Sequence, residues 1–183
     1  MAPGTGERPP SDIADQGLAE AGRARIGWAQ RGMPVLRLLT ERYAGEQPFA
    51  GLTVAACLHV TAETAGLVGA LRAGGARVFL AASNPLSTQN DVAAALAAAG
   101  TCVFARAGVD EVTYAEHIHR ALDSCPDLVI DDGGDLVDTL SGQRPELVRG
   151  VRGGCESTST GVLRLRRMAA AGALAFPMVA TDM

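Results

Sequence analysis

The chain alternates short apolar runs with stretches in which apolar residues recur every three or four positions. The alternation is clearest after Gly51. Leu52-Thr53-Val54-Ala55-Ala56-Cys57-Leu58 is apolar almost throughout and carries β-branched residues, the pattern of a strand buried on both faces. Residues 62–72 have helical spacing and stop at Gly74-Gly75. The same pairing then repeats as a strand over 76–81, a helix over 91–99 stopped by Gly100, a strand over 101–105, a helix over 111–122 and a strand over 128–131. Helices are predicted over 145–149 and 161–171, and a last strand near 174–179 is bent by Pro177. Upstream, Ser11 or Asp12 can cap a helix whose apolar side is Ile13, Leu18, Ala21, Ile26 and Ala29. A second helix starts near Pro34, a favoured first-turn residue, with Val35, Leu38 and Leu39 on one side.

Strands alternating with helices predict an α/β fold: a doubly wound, mostly parallel sheet of Rossmann-like type, preceded by N-terminal helices. Such sheets bind ligands beyond the carboxyl ends of their strands. That rule places His59 and Thr61, residues 83–88 and residues 131–135 along one rim, each just past a predicted strand.

Composition narrows the function classes. The chain has 183 residues, of which 48% are hydrophobic and only 4% aromatic. This fits one domain with a core of its own, built from closely packed Ala-rich helices. A net charge of −4 argues against nucleic-acid binding, which needs clustered positive charge. Arg164, Arg166 and Arg167 alternate with Leu165 and Met168, as on a solvated helix face whose apolar neighbours are buried. The four cysteines, Cys57, Cys102, Cys125 and Cys155, are far apart, so no structural metal site is expected. Residues 1–11 are rich in Pro and Gly and are expected to be a disordered tail; they lack the apolar core of a signal peptide. No apolar run is long enough to span a membrane. The expected setting is cytoplasmic, with reduced thiols.

Four rim segments carry chemistry. His59, Thr61, Glu63 and Thr64 offer an imidazole, hydroxyls and a carboxylate past a strand end. The imidazole can exchange protons near neutral pH, or be a satisfied polar residue beside a capping Thr61. In the loop from Ser83 to Asp91, Ser87 or Thr88 can cap the next helix or bind a polar ligand. Asp131-Asp132-Gly133-Gly134-Asp135 sets adjacent carboxylates at a strand end with two glycines that permit unusual dihedrals. These carboxylates can bind sugar hydroxyls or a metal, or the segment can be a turn with Asp135 capping a helix. The run from Gly153 to Gly161 is dense in hydroxyls ahead of a helix and has no GxxxxGK[ST] pattern.

Taken together, the segments resemble the S-adenosylhomocysteine hydrolase family. The resemblance rests on Asp12-Ile13-Ala14-Asp15, Trp28-Ala29, Met33-Pro34, Cys57-Leu58-His59-Val60-Thr61-Ala62-Glu63-Thr64, Ala82-Ser83-Asn84-Pro85-Leu86-Ser87-Thr88-Gln89, Asp131-Asp132-Gly133-Gly134-Asp135-Leu136 and Phe176-Pro177-Met178. It runs in register from Asp12 to nearly the last residue, so residues 12–183 read as that family's substrate-binding domain. The resemblance implies a reaction in which bound NAD oxidises the ribose 3′-hydroxyl, the 4′-proton is removed, homocysteine is eliminated, water adds and adenosine is released. It implies catalytic roles for His59, near the 5′ carbon, and for Asp132. It implies contacts to the nucleoside from Thr61, Glu63 at the adenine edge, Ser87, Thr158 near the ribose, and the position of Ser157.

Two departures follow from the same resemblance. The family pattern Glu-Glu-Thr-Thr-Thr-Gly is Glu156-Ser157-Thr158-Ser159-Thr160-Gly161 here. Ser157 therefore stands where the family has a ribose-contacting carboxylate, and Glu156 is expected to point elsewhere. Asn90 stands where the family usually has Asp. Beyond Thr181-Asp182-Met183 the family continues with a catalytic Lys and Asp and the NAD-binding domain, and no GxGxxG occurs in this sequence. The chain alone is thus expected to bind no cofactor, with NAD present only in a complex. The implied partners are an adenosine-type small molecule and either a second copy or a chain carrying the NAD domain. Three functions remain open: hydrolysis of S-adenosylhomocysteine with such a partner, a non-catalytic adenosine-binding or interaction module, and NAD-independent acid–base chemistry on another small molecule.

Overall fold

The computed structural model describes residues 11–181; the expected disorder of the tail falls on residues 1–10, outside the described residues. The elements are β1 (Asp12–Ile13), α1 (Ala19–Gln30), α2 (Pro34–Glu46), β2 (Thr53–Leu58), α3 (Ala62–Ala73), β3 (Arg77–Ala82), α4 (Asn90–Ala98), β4 (Cys102–Ala105), α5 (Glu111–Leu122), β5 (Leu128–Asp131), α6 (Asp135–Gly142), β6 (Gly153–Glu156), α7 (Ser159–Ala170) and β7 (Met178–Ala180). The strands form one seven-stranded sheet in the order β1-β4-β3-β2-β5-β6-β7, and every pair is parallel. The α/β, doubly wound class read from the sequence is the one observed.

Every residue of β2 is buried, because helices cover both of its faces. On one face Val54, Ala56 and Leu58 join Val78, Leu80 and Val103 against α3 and α4. On the other, Ala55, Cys57, Phe104 and Val129 pack against Ile118 and Leu122 of α5, Leu136 and Leu140 of α6 and Leu165 of α7. The N-terminal helices lie outside the first layer, α1 on α4 and α2 on α3. An apolar groove of about 330 Å³ remains open over β5, β6 and β7, lined by Leu128, Ile130, Cys155 and Val179.

Several boundaries differ from those the sequence predicts. Asp12 does not cap a helix. It belongs to β1, which pairs with Phe104 and Ala105 of β4. The Asp12 carboxylate meets His117 at 3.1 Å, Arg106 at 3.3 Å and Arg120 at 3.4 Å. The Ser11 hydroxyl accepts from the Val103 N–H at 3.1 Å. The cap falls to Asp15, which accepts from the Gly17 N–H and leads through a 3-10 turn into α1. Asp12→Ala would strand the His117 ring, which is 2% exposed. We expect a loss of about 2 kcal/mol, measured as a lowered urea midpoint.

The expected helix over 145–149 is a turn followed by a short 3-10 segment, Val148–Gly150. The last strand begins after Pro177 rather than running through it, because proline has no N–H to give the ladder. Its carbonyl still accepts from the Gly154 N–H at 3.0 Å. Besides β1, the pattern does not predict β6 or the full length of α6.

Candidate functional site

Chain winding reverses between β2 and β5. From β2 the chain steps outward to β3 and β4, and from β5 it steps the other way to β6 and β7. The crevice past the ends of β2 and β5 is therefore the topological switch point, where sheets of this kind bind ligands. His59 directly follows β2 and Asp132 directly follows β5.

Backbone contacts tie these two ends together. The Asp132 N–H donates to the Cys57 carbonyl at 3.0 Å, and the His59 N–H lies 3.5 Å from Asp132 Oδ2. From the next strand, the Ser157 N–H donates to the Asp131 carbonyl at 3.1 Å. The Ser157 hydroxyl makes a close hydrogen bond to Asp132 Oδ1. His59, Asp132 and Ser157 thus form one cluster; the His59 and Ser157 side chains are exposed and Asp132 is half-buried. Partial burial pushes the Asp132 carboxyl above its usual range, opposed by the His59 N–H and ring.

The turn that carries Asp132 depends on its glycines. Gly133 and Gly134 have φ of 106° and 84°, in the left-handed region that side chains avoid. Gly134 is the N-cap of α6, so Asp135 is its first residue rather than its cap. Asp135 is held from two sides. Arg164 of α7 reaches its Oδ1 at 2.6 Å and also donates to the Gly133 carbonyl at 3.2 Å. The Tyr114 hydroxyl lies 2.8 Å from its Oδ2 and 3.0 Å from the Ser83 carbonyl.

The remaining expected residues fall around this cluster in different ways. Thr61 is the N-cap of α3 but makes no side-chain cap bond. Its hydroxyl hydrogen-bonds to the exposed Glu63, which, together with Glu63's own N–H, holds that carboxyl below its usual range. The loop from Ser83 to Gln89 is laced to the β2 end: the Val60 N–H donates to the Ser87 carbonyl at 2.8 Å, and the Gln89 N–H to the Val60 carbonyl at 2.9 Å. The Ser87 hydroxyl is engaged within its own loop, with Asn84. Neither Ser87 nor Thr88 caps α4; Gln89 occupies that position. Asn90 accepts from the Ala107 N–H at 3.0 Å. Thr158 caps α7, accepting from the Gly161 N–H at 3.0 Å.

Comparison with known proteins decides the family. The S-adenosyl-L-homocysteine hydrolase family model matches residues 10–144. The adenosylhomocysteinase of Aquifex aeolicus is 52% identical over 172 residues, covering 93% of this chain and 41% of the relative. That of Gloeobacter violaceus is 51% identical over 172 residues, covering 93% and 40%. The S-inosyl-L-homocysteine hydrolase of Methanococcus maripaludis is 45% identical over 169 residues, covering 92% and 41%. The chain belongs to the S-adenosyl-L-homocysteine hydrolase family. It spans about 40% of the length of these relatives.

In this member of the family, the placement of Glu156 is the main addition to the sequence reading. Glu156 does point away from the rim, as expected, and it is fully buried. Its Oε1 accepts from the Gly133 and Thr158 N–H groups, both at 2.9 Å, and from the Thr158 hydroxyl at 2.7 Å. A Cβ on Gly161 would overlap its carboxylate. Beside it, Asp131 is also fully buried, and its Oδ2 accepts from the Val137 N–H at 2.9 Å. The pleat explains the split: successive residues leave a strand on opposite faces, so Asp131 and Glu156 go inward while Asp132 and Ser157 reach the crevice. Sequence reasoning named the outer members; it gave Asp131 and Glu156 no part in holding the turns, and Tyr114 and Arg164 no part in the site. Arg164 is not simply a solvated residue, although its neighbour Leu165 is buried as expected. The available signal was positional: each inner carboxylate is the last residue of its strand.

Among the described residues no group of three or more acidic, His or Cys side chains is placed to hold a metal ion. No helix among them is long and apolar enough to cross a membrane.

Proposed function

We propose that this chain is the nucleoside-binding part of an S-adenosylhomocysteine hydrolase. It holds the adenosine moiety in the crevice between β2 and β5, and it takes part in hydrolysis when a partner chain supplies the NAD-binding domain. The observation that carries this reading is the meeting of His59 and Asp132 at the switch point. The His59 backbone N–H lies 3.5 Å from the Asp132 carboxylate there, so one segment brings an imidazole and a carboxylate to the same crevice, the residue types that proton transfer at a sugar carbon requires. Ser157, Thr158, Thr61 and Ser87 would line or support the ribose, and Glu63 would meet the base.

NAD does not fit the residues present. A dinucleotide pyrophosphate needs bare glycine backbone in the turn after a strand. Here the turn after β2 is His59-Val60-Thr61, and the glycine turn after β5 follows the Asp132 carboxylate and has its Gly133 N–H committed to Glu156. No step through NAD is assigned to this chain. The test of the reading is S-adenosylhomocysteine hydrolysis by the chain, the partner and NAD together. Turnover is expected only in the combined system. Turnover by the purified chain alone, or none from the reconstituted pair, would refute it.

A carboxylate at the base edge accepts hydrogen bonds and cannot donate them. Glu63 therefore favours the exocyclic amine of adenine over the carbonyl of hypoxanthine. Adenosine is expected to bind more tightly than inosine in calorimetry, and Glu63→Ala to weaken adenosine by about tenfold or more. Equal affinity of the variant and the parent would mean that the pocket is not used in this way.

The Ser157–Asp132 hydrogen bond favours one second reading, a binding module without catalysis. It ties up the carboxylate that proton transfer needs and supplies no second one. If the reconstituted system binds adenosine but does not turn over, this reading replaces the first.

A further inference from the structure

The two inner carboxylates are left over from the proposed chemistry. Asp131 and Glu156 are register partners on adjacent parallel strands, so their side chains leave the sheet on the same face, from backbones about 4.8 Å apart. Both are 0% exposed. Each has one oxygen engaged by N–H or O–H donors, Asp131 Oδ2 and Glu156 Oε1. The other oxygen of each, Asp131 Oδ1 and Glu156 Oε2, is buried with no hydrogen-bond partner. No ion pair among the described residues involves either group; Arg164, on the neighbouring helix, is held by Asp135 and Asp138.

Two carboxylates this close cannot both stay ionised in a dry interior. Two buried acceptors without donors are also costly. A single proton eases both problems: it removes one of the two charges and supplies an O–H donor beside two oxygens that have none. We infer that Asp131 and Glu156 share one proton and act as a positioning pair. While the proton is held, the pair fixes the Gly133 and Thr158 backbone, and with it Asp132 and Ser157. When the proton leaves, repulsion parts the two strand ends and the crevice loses its geometry.

The surroundings reinforce this. Burial foremost, and then the charges of Glu156 and Asp135, push Asp131 up to about 7, against the opposing pull of the Val137 and Leu136 N–H groups. Cys57 across β2 and Tyr114 on α5 are both pushed up, mainly by burial, and stay neutral. Asp132 follows Asp131 directly and adds negative charge when ionised, with the His59 backbone N–H 3.5 Å from its Oδ2. Of the groups packed around the pair, Arg164 is the fixed cation, and its guanidinium is paired elsewhere.

The sign of the pH dependence follows. The folded value of Asp131 is raised, so the folded chain keeps a proton that the unfolded chain has released. The stability contributed is full below the unfolded carboxylate value, near pH 4, is lost as pH rises through about 7, and is level above that. Asp131→Asn and Glu156→Gln place an amide N–H where the proton would be, and both should flatten this slope.

The experiment is a carboxyl-carbon NMR titration of the isotopically labelled chain and both variants, with the Gly133 and Thr158 amide resonances followed alongside. The Asp131 carboxyl carbon is expected to titrate near neutrality. The two amides should move with the same midpoint, and both effects should vanish in each variant. Asp131 already ionised at about pH 5 would overturn the inference, as would amides indifferent to the titration. The nucleoside arm rests on the proposed function. Adenosine affinity should fall about tenfold from pH 6 to pH 9 in the parent, and by much less in the variants. If adenosine binds at neither pH, the proposed function fails, and the NMR titration still decides the proton and the positioning.

Discussion

Glu156→Ala is expected to destabilise the chain by about 3 kcal/mol and to abolish adenosine binding. Alanine leaves the Gly133 N–H, the Thr158 N–H and the Thr158 hydroxyl without their shared acceptor. Each unsatisfied buried donor costs roughly 1–3 kcal/mol. Loss of the Glu156 charge offsets part of this, because Asp131 can then ionise with less repulsion. The donors win because there are three of them on one oxygen, and they lie in the two turns that form the crevice. A thermal melt should show a drop of about 10 °C for a chain of this size. Glu156→Gln keeps an acceptor at the same place and should melt close to the parent. Equal losses from both variants would mean that the charge, not the acceptor, holds the turns.

Gly22→Ala is expected to have a similar effect by a different route. A Cβ at Gly22 would overlap the Asp91 carbonyl and press on the Ala95 methyl. The obstacle is backbone, which does not yield as a side chain does, so α1 must lift from α4. The Arg25–Asp91 ion pair at 2.7 Å spans the same contact and would lengthen. Alanine gains about 1 kcal/mol in helix propensity over glycine. Overpacking of this kind costs roughly 1–3 kcal/mol and occasionally more. With backbone as the obstacle the upper end applies, so a net loss of about 2–3 kcal/mol is expected in urea unfolding. Gly27 is on the same helix, and nothing lies within 4 Å of a Cβ there. Gly27→Ala should therefore stabilise the chain by up to about 1 kcal/mol, and it is the control for propensity.

The central strands were legible in the sequence because they are buried on both faces. β2 through β5 show this as short, nearly unbroken apolar runs. β6 was not legible. Its sequence, Gly-Gly-Cys-Glu, has no β-branched residue, and its glycines answer to neighbours instead: a Cβ on Gly154 would overlap Val129 and crowd Met178. β1 is two residues long and exists only through its pairing with β4, a contact about 90 positions distant in sequence. Local pattern instead suggested a helix cap at Asp12. Proline set the limit of β7: the predicted strand runs through Pro177 over 174–179, whereas the observed one starts just beyond it.

The site was legible to a different depth. Its outer members, His59, Asp132, Thr61, Glu63, Ser157 and Thr158, lie in motifs that resemble the family, and their order along the rim follows from the alternation of elements. Its inner members lie one residue earlier, in stretches read as strand ends or hydroxyl-rich loop. Period-2 alternation gives the direction in which Asp131 points. It does not give the partner, because that depends on β6 lying beside β5. Tyr114 and Arg164 were hidden for the same reason, since each acts on Asp135 from another helix.

The pleat at the ends of β5 and β6 divides labour between adjacent residues, and this has a consequence for how such a protein can change. The inner carboxylate of each pair serves the scaffold and the outer position faces the crevice, so the two can drift apart. Position 157 can pass from carboxylate to hydroxyl while Glu156 keeps the turns in place. A library built on 132 and 157 alone should therefore explore new ligands on an intact fold, whereas the same diversity moved one residue upstream should yield mostly unfolded chains.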